Sequence, residues 1–148
     1  MIQQVKEFNL TSGLVPRSDF SDKEFVRLKL GLIREELSEI EEAIENNDKV
    51  ELLDGILDLL YVTFGLAVSY KLDDVTEEGF QRVHESNMSK FCSTKLEAMS
   101  TINSYKEKGI ETHTKQVGSK WVVFRSEDGK VLKSIAYTPV NLDDLCSR

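Results

Sequence analysis

Cysteine is scarce, and the two that occur, Cys92 and Cys146, are too far apart in sequence to form a metal knuckle or to imply a disulfide framework, so reduced thiols are expected. Clustered basic residues are lacking as well. With a formal charge of −7 and no Lys/Arg-rich stripe, the chain has nothing to neutralise a phosphate backbone, which excludes a nucleic acid polymer as a general partner. Small phosphorylated ligands stay open, because a bound metal reverses the local sign. The N-terminus lacks a basic segment followed by an apolar core, and no apolar run is read as long enough for a membrane span, so the expected place of action is the cytoplasm. Internal repeats and low-complexity segments are also missing.

What is present is acidic residues where a helix facing a core should be apolar. The 148 residues suffice for one domain with a real core and fall short of a second. The whole chain, 1–148, is therefore read as a single domain. Within residues 33–65 two helical patterns are joined by the polar turn Asn46-Asn47-Asp48. On the first, Glu35, Glu36 and Glu39 share a face with Leu32. On the second, Asp54 and Asp58 are four apart, and Tyr61 and Gly65 continue their line. Leu52, Leu53, Ile56, Leu57, Leu59, Leu60, Val62 and Phe64 surround those aspartates and make the second helix read as buried. Carboxylates buried without partners are costly, so a cation is expected between the helices. An all-oxygen donor set favours Mg²⁺, with Mn²⁺ as a substitute, over Zn²⁺. The competing reading is a solvated acidic face paired with Arg34 or Lys29.

In chain order, an amphipathic segment (Ile2, Val5, Phe8) precedes an irregular loop with Gly13 and Pro16. Leu14-Val15-Pro16-Arg17-Ser18 has the form of a thrombin cleavage site, and because it follows that segment it reads as coincidence. Ser21 with Glu24 is a capping box for a helix running to about Glu45, and the next helix runs to about Tyr70. So short a connection makes the two antiparallel neighbours. Asp74 with Glu77 opens a third helix leading into residues 86–90, and Thr94 with Glu97 opens a fourth, which Gly109 ends. The helical core is thus expected over residues 21–108. From 109 to 148 the chain turns β-rich. Residues 120–125 and 130–135 form a hairpin about Glu127-Asp128-Gly129, and a third strand at 111–117 makes a small meander. The fold class expected is mainly α: an antiparallel helical bundle with a small C-terminal β-hairpin or meander.

The ordered combination Glu35-Glu36-Leu37-Ser38-Glu39, Asp58-Leu59-Leu60-Tyr61-Val62 and Val83-His84-Glu85-Ser86-Asn87-Met88-Ser89-Lys90 resembles the all-α nucleoside triphosphate pyrophosphohydrolase superfamily. The nearest branch is the MazG-like and phosphoribosyl-ATP pyrophosphohydrolase-like proteins of bacteria and phages. The similarity covers about residues 27–90, and Gly129-Lys130-Val131-Leu132-Lys133 with Tyr137 and Pro139 looks like the tail of the same branch.

The resemblance implies a helical homodimer or homotetramer that binds Mg²⁺ and cleaves a (d)NTP to (d)NMP and pyrophosphate. It places metal ligands on Glu35, Glu36 and Glu39 and on an ExxD pair in the next helix. Here the position three before Asp58 is Gly55, so the second pair departs from the pattern. Asp54 and Asp58 are the expected ligands, with Glu51 as an outer member. Phosphoryl transfer needs charge neutralisation and an aligned nucleophile, which bound metal ions supply. Glu35 or Glu36 is the catalytic candidate, as general base. Asn87 and Lys90 are the substrate-binding candidates, followed by Arg82, for which a surface ion pair is an equal reading, and Tyr61, for which a core role is equally open. His84 reads as structural, and Gly65 as a helix-packing position. Trp121, Phe124 and Tyr137 read as packing the hairpin, with a lid over the nucleotide base as the alternative, and Lys130 and Lys133 as solvated edge lysines, with a reach to phosphates as the alternative. The alternatives are hydrolysis of a phosphoribosyl-ATP-type substrate and a non-catalytic nucleotide- and metal-binding helical oligomer.

Overall fold

The computed structural model describes residues 1–147. The chain divides into two compact units, Met1–Glu77 and Glu78–Arg148.

The first unit is helical. It contains α1 (Ile2–Thr11), α2 (Lys23–Glu45), α3 (Lys49–Ser69) and the first turn of α4 (Asp73–Met88). The cap of α2 is Asp22, whose carboxylate accepts from the Phe25 amide at 3.0 Å, and not the Ser21 of the expected box. Asp22 offers the same acceptor one residue closer to the helix. Asn47, in the left-handed region at φ 54°, turns the chain, and the Asp48 side chain caps α3 through the amides of Val50 and Glu51. The hairpin of α2 and α3 is antiparallel. Ile40 faces Gly55 and Phe25 faces Tyr70, fifteen residues further along each helix.

At Gly55 the two helices approach closely, since a Cβ there would stand 2.9 Å from Ile40 Cγ1. On another side of α3, Gly65 receives α1, where a Cβ would meet the Asn9 amide at 3.5 Å. Lys6 of α1 reaches the start of α4 and pairs with the buried Asp73 at 2.5 Å and with Asp74 at 3.2 Å.

The expectation that α3 is buried on nearly every side is corrected. Only Gly55, Gly65, Val68 and Ser69 are buried, because α1 and α2 each cover one side of it. Leu53, Ile56, Leu57 and Leu60 are 41–58% exposed. Length and composition also correct the reading that no run reaches membrane-span length. α3 is long and apolar enough to cross a bilayer, because its two aspartates interrupt the apolar run without outweighing it.

The second unit holds the rest of α4, α5 (Lys95–Lys106), β1 (Thr112–Val117), β2 (Lys120–Arg125) and the short α6 (Asp143–Cys146). The Thr94 hydroxyl caps α5 at 3.1 Å from the Glu97 amide, as its sequence predicts, and Gly109, at φ 72°, follows its end. Strands β1 and β2 form an antiparallel hairpin turned at Gly118-Ser119. Cys92, Ala98, Val123 and Leu132 make the core, with Ile102, Tyr105, Ile110 and Trp121 packed around it.

The predicted strand at 130–135 is reduced to one bridge between Phe124 and Val131. Arg125 holds Asp128 in a two-pronged pair that shapes the turn. Beyond Leu132 the backbone leaves the sheet, because its polar groups find side-chain partners elsewhere. The Ile135 amide donates to Thr101 Oγ1, the Ala136 amide to Ser134 Oγ and the Thr138 amide to Ser89 Oγ. The result is the expected mainly α bundle with a small C-terminal antiparallel hairpin.

Candidate functional site

The register of the hairpin puts Glu36, one turn before Ile40 on α2, at the level of Asp58 on α3. Glu36 is half-buried, whereas Glu35, Glu39, Asp54 and Asp58 are exposed. Its carboxyl is held above the ordinary glutamate range, first by burial and then by the negative charges of Glu39, Asp58, Glu35 and Asp54. The other four acids thus all act on Glu36 within the first unit. Their side chains do not close into a cage, and among the described residues no three Asp, Glu, His or Cys side chains converge to hold a metal ion. Exposure also corrects the argument that Asp54 and Asp58 need a cation because they are buried: α3 is open to solvent on their side.

The donor set fits a hard divalent ion in its chemistry. It is all carboxylate, and the half-buried Glu36 carries a like-charge excess that a cation would relieve. Gly55 explains the departure from the ExxD spacing. A side chain at that position would meet Ile40 of α2, since its Cβ would already stand 2.9 Å from Ile40 Cγ1. Glu51 lies exposed in the first turn of α3. Tyr61, 38% exposed, meets the Phe8 ring edge-on at 5.7 Å.

The remaining site candidates belong to the second unit. Lys90 donates to Asn87 Oδ1 at 2.7 Å. Arg82 is held by Asp144, Glu78 and the Asn141 carbonyl, the ion-pair arrangement foreseen as its alternative. A group that sequence reasoning assigned to packing joins them. The Tyr137 hydroxyl accepts from Ser86 Oγ at 3.3 Å, and Lys133 Nζ lies 4.3 Å from the centre of the same ring. That phenol is pulled below its ordinary pKa, first by the Ser86 bond and then by the Lys133 and Lys90 charges. Lys90, Lys133 and Tyr137 therefore form one positively charged patch. Its signal in the sequence is the motif 129–133 with Tyr137, for which a reach of Lys133 to phosphates and a lid role of Tyr137 are the alternative readings.

Sequence reasoning also passed over a pocket at the other end of the first unit's hairpin, lined by Asn9, Ser12, Arg17, Phe25 and Lys29. Its trace in the sequence is spacing. Lys29 is four residues from Phe25 and seven from Glu36, one helical face throughout.

The α2–α3 hairpin with its acidic residues and the following α4, which ends at Met88, fall within the stretch that matches an all-α pyrophosphohydrolase family. The family model described as phosphoribosyl-ATP pyrophosphohydrolase matches residues 8–87, more than half of the chain, and the protein belongs to that family within the MazG-like superfamily. The chain is also similar, at 39% identity over 97% of its own length and 94% of the other's, to an uncharacterized protein of Acanthamoeba polyphaga mimivirus.

Proposed function

We propose that this chain is a Mg²⁺-dependent nucleotide pyrophosphohydrolase, with Mn²⁺ as a substitute, that releases pyrophosphate and leaves a monophosphate. The supporting observation is the half-buried Glu36 under the combined charge of Glu35, Glu39, Asp54 and Asp58. Glu36, Glu39, Asp54 and Asp58, with Glu35, would hold the metal, and side-chain rotation about the exposed positions would bring them to it. When bound, the ion would neutralise phosphate oxygens and acidify a water. Whichever of Glu35 and Glu36 is not fully engaged by metal is the general base. In the metal-free chain burial and the neighbouring carboxylates raise the Glu36 pKa, which makes it a stronger proton acceptor than an ordinary glutamate. Asn87 and Lys90, with Lys133 and Tyr137 beside Lys90, are the proposed phosphate contacts of the second unit. Arg82 is a positioning residue for the C-terminal segment through Asp144.

Between substrates, a phosphoribosyl-ATP-type compound ranks ahead of plain (d)NTPs, because that is the activity in the description of the matching family model. The place of action is the cytoplasm, and the assembly is a homodimer or homotetramer joined through the apolar side of α3.

The test is pyrophosphate release, separated from orthophosphate release, across ribo- and deoxyribonucleoside triphosphates and phosphoribosyl-ATP with Mg²⁺ or Mn²⁺. Pyrophosphate from any of them supports the reading. Absence of turnover combined with metal-dependent thermal stabilisation replaces it with a non-catalytic nucleotide- and metal-binding oligomer.

A further inference from the structure

Arg17 and Lys29 share one aromatic ring in the first unit. The Arg17 guanidinium lies 3.4 Å from the centre of Phe25, and Lys29 Nζ lies 5.4 Å from the same centre. Two cations on one ring repel each other, and the ring's quadrupole offsets this only in part. The acids nearby do not balance them. Asp22 takes Arg17 at 3.2 Å and is itself committed to capping α2, while Lys29 has no carboxylate within ion-pair distance among the described residues. The pocket therefore carries one uncompensated positive charge in a chain of net charge −7. Lys29 registers the strain: its ammonium is held below the ordinary lysine value, first by burial and then by Arg17.

Around the cations the pocket is wide enough for a ligand and polar on the α1 side. Asn9 and Ser12 line it together with Phe25, Gly13, Leu14 and Val15. The Arg17 amide donates to the Ser69 carbonyl at 2.8 Å, which fixes the loop that delivers the guanidinium. Lys29 stands seven residues before Glu36 on the same face of α2, about 10 Å along the axis at the usual rise per residue. An extended substrate held at Glu36 would need to span only that distance to reach this pocket.

The geometry points to the Arg17–Lys29 pocket as a second anion subsite of the proposed active site, taking a phosphate group of the substrate remote from the acidic cluster. This rests on the reading of the acidic cluster given above. The chemistry has two sources: the terminal phosphate of a nucleoside triphosphate, or the phosphoribosyl phosphate on the far side of the base in a phosphoribosyl-ATP-type compound. Arg17 supplies a fixed planar fork and Lys29 a mobile point charge, a pairing suited to a phosphate dianion.

The first experiment avoids both metal and turnover. Inorganic pyrophosphate is titrated into the full chain in the presence of a chelator and followed by calorimetry, for the parent chain, Lys29→Met and Lys29→Arg. Lys29→Met is expected to weaken binding about tenfold, the loss of one charge-assisted contact, while melting stays unchanged or rises as the repulsion from Arg17 is removed. Lys29→Arg restores most of the affinity. Equal affinity in the parent and Lys29→Met, or no binding by the parent, overturns the proposal. The second experiment identifies the source. A KM raised by Lys29→Met for every triphosphate assigns the subsite to the triphosphate chain, and one raised only for phosphoribosyl-ATP assigns it to the distal phosphate. An unchanged KM for both overturns it. Failure of the acidic-site reading would appear separately, as absence of pyrophosphate release from every substrate by the parent chain.

Discussion

At the scale of single residues, Glu36 concentrates the chemistry, and its protonation sets a testable sign. Because its carboxyl sits above the ordinary glutamate value in the fold, the folded chain retains a proton that the unfolded chain has released. This contribution to stability is complete below the ordinary glutamate value and is lost as pH rises through the folded one. Metal-free melting temperature should therefore fall over that window in the parent chain, and fall less in Glu36→Gln. The same substitution should remove the stabilisation by Mg²⁺ and lower pyrophosphate release by about 100-fold or more, as expected for losing a general base or ligand. If Glu36→Gln keeps both, Glu36 is neither.

The cysteines give a contrast of the same kind. Cys92 is fully buried, its thiol pushed up by burial and placed 3.6 Å from Thr101 Oγ1, whereas Cys146 is exposed. A native-state alkylation experiment read by peptide mass should label Cys146 and spare Cys92, because the thiolate is the reactive form. Equal labelling would mean that the second unit opens around its core.

At the scale of elements, the α2–α3 hairpin turns on Gly55. Gly55→Ala gains up to about 1 kcal/mol of helix propensity but forces a Cβ to 2.9 Å from Ile40 Cγ1, and overpacking of this kind costs about 1–3 kcal/mol. The net expectation is destabilisation in urea unfolding, relieved in the double variant with Ile40→Ala relative to the sum of the single effects. Gly65→Ala, with Asn9 at the ordinary distance of 3.5 Å, should be tolerated. If the two glycine variants behave alike, the close approach at Gly55 is not what limits the hairpin.

The same elements show what was legible in the sequence. Periodicity and caps placed α2 through α5 to within a few residues, because Asp48 and Thr94 act locally. The strand at 111–117 formed as read, whereas the one at 130–135 was misread: its residues have strand composition, but from Ile135 onward the backbone amides are taken by hydroxyls, those of Thr101 and Ser89 distant in sequence and that of Ser134 local. The acids of the candidate site were visible as a breach of helical patterning. The Arg17–Lys29 pocket was not, since Arg17 comes from a loop whose path depends on a bond to Ser69.

At the scale of the whole molecule, the exposed apolar residues of α3 demand an account. Leu53, Leu57 and Leu60 stand between 41% and 58% exposed on a helix that also carries the candidate ligands Asp54 and Asp58. A contiguous apolar face of this kind is poorly tolerated on an isolated chain and is typical of a buried interface. A second copy laid on this face would remove apolar surface from water at about 25 cal/mol per Å² and at the same time lower the dielectric around the acidic cluster. Assembly and catalysis would then be coupled. Leu57→Lys should shift the chain to monomer in analytical ultracentrifugation and lower pyrophosphate release together with Mg²⁺ stabilisation, whereas the exposed Val117→Lys on the hairpin should do neither. A monomeric Leu57→Lys variant with full activity would show that the acidic face needs no partner, and that the apolar side of α3 serves assembly alone.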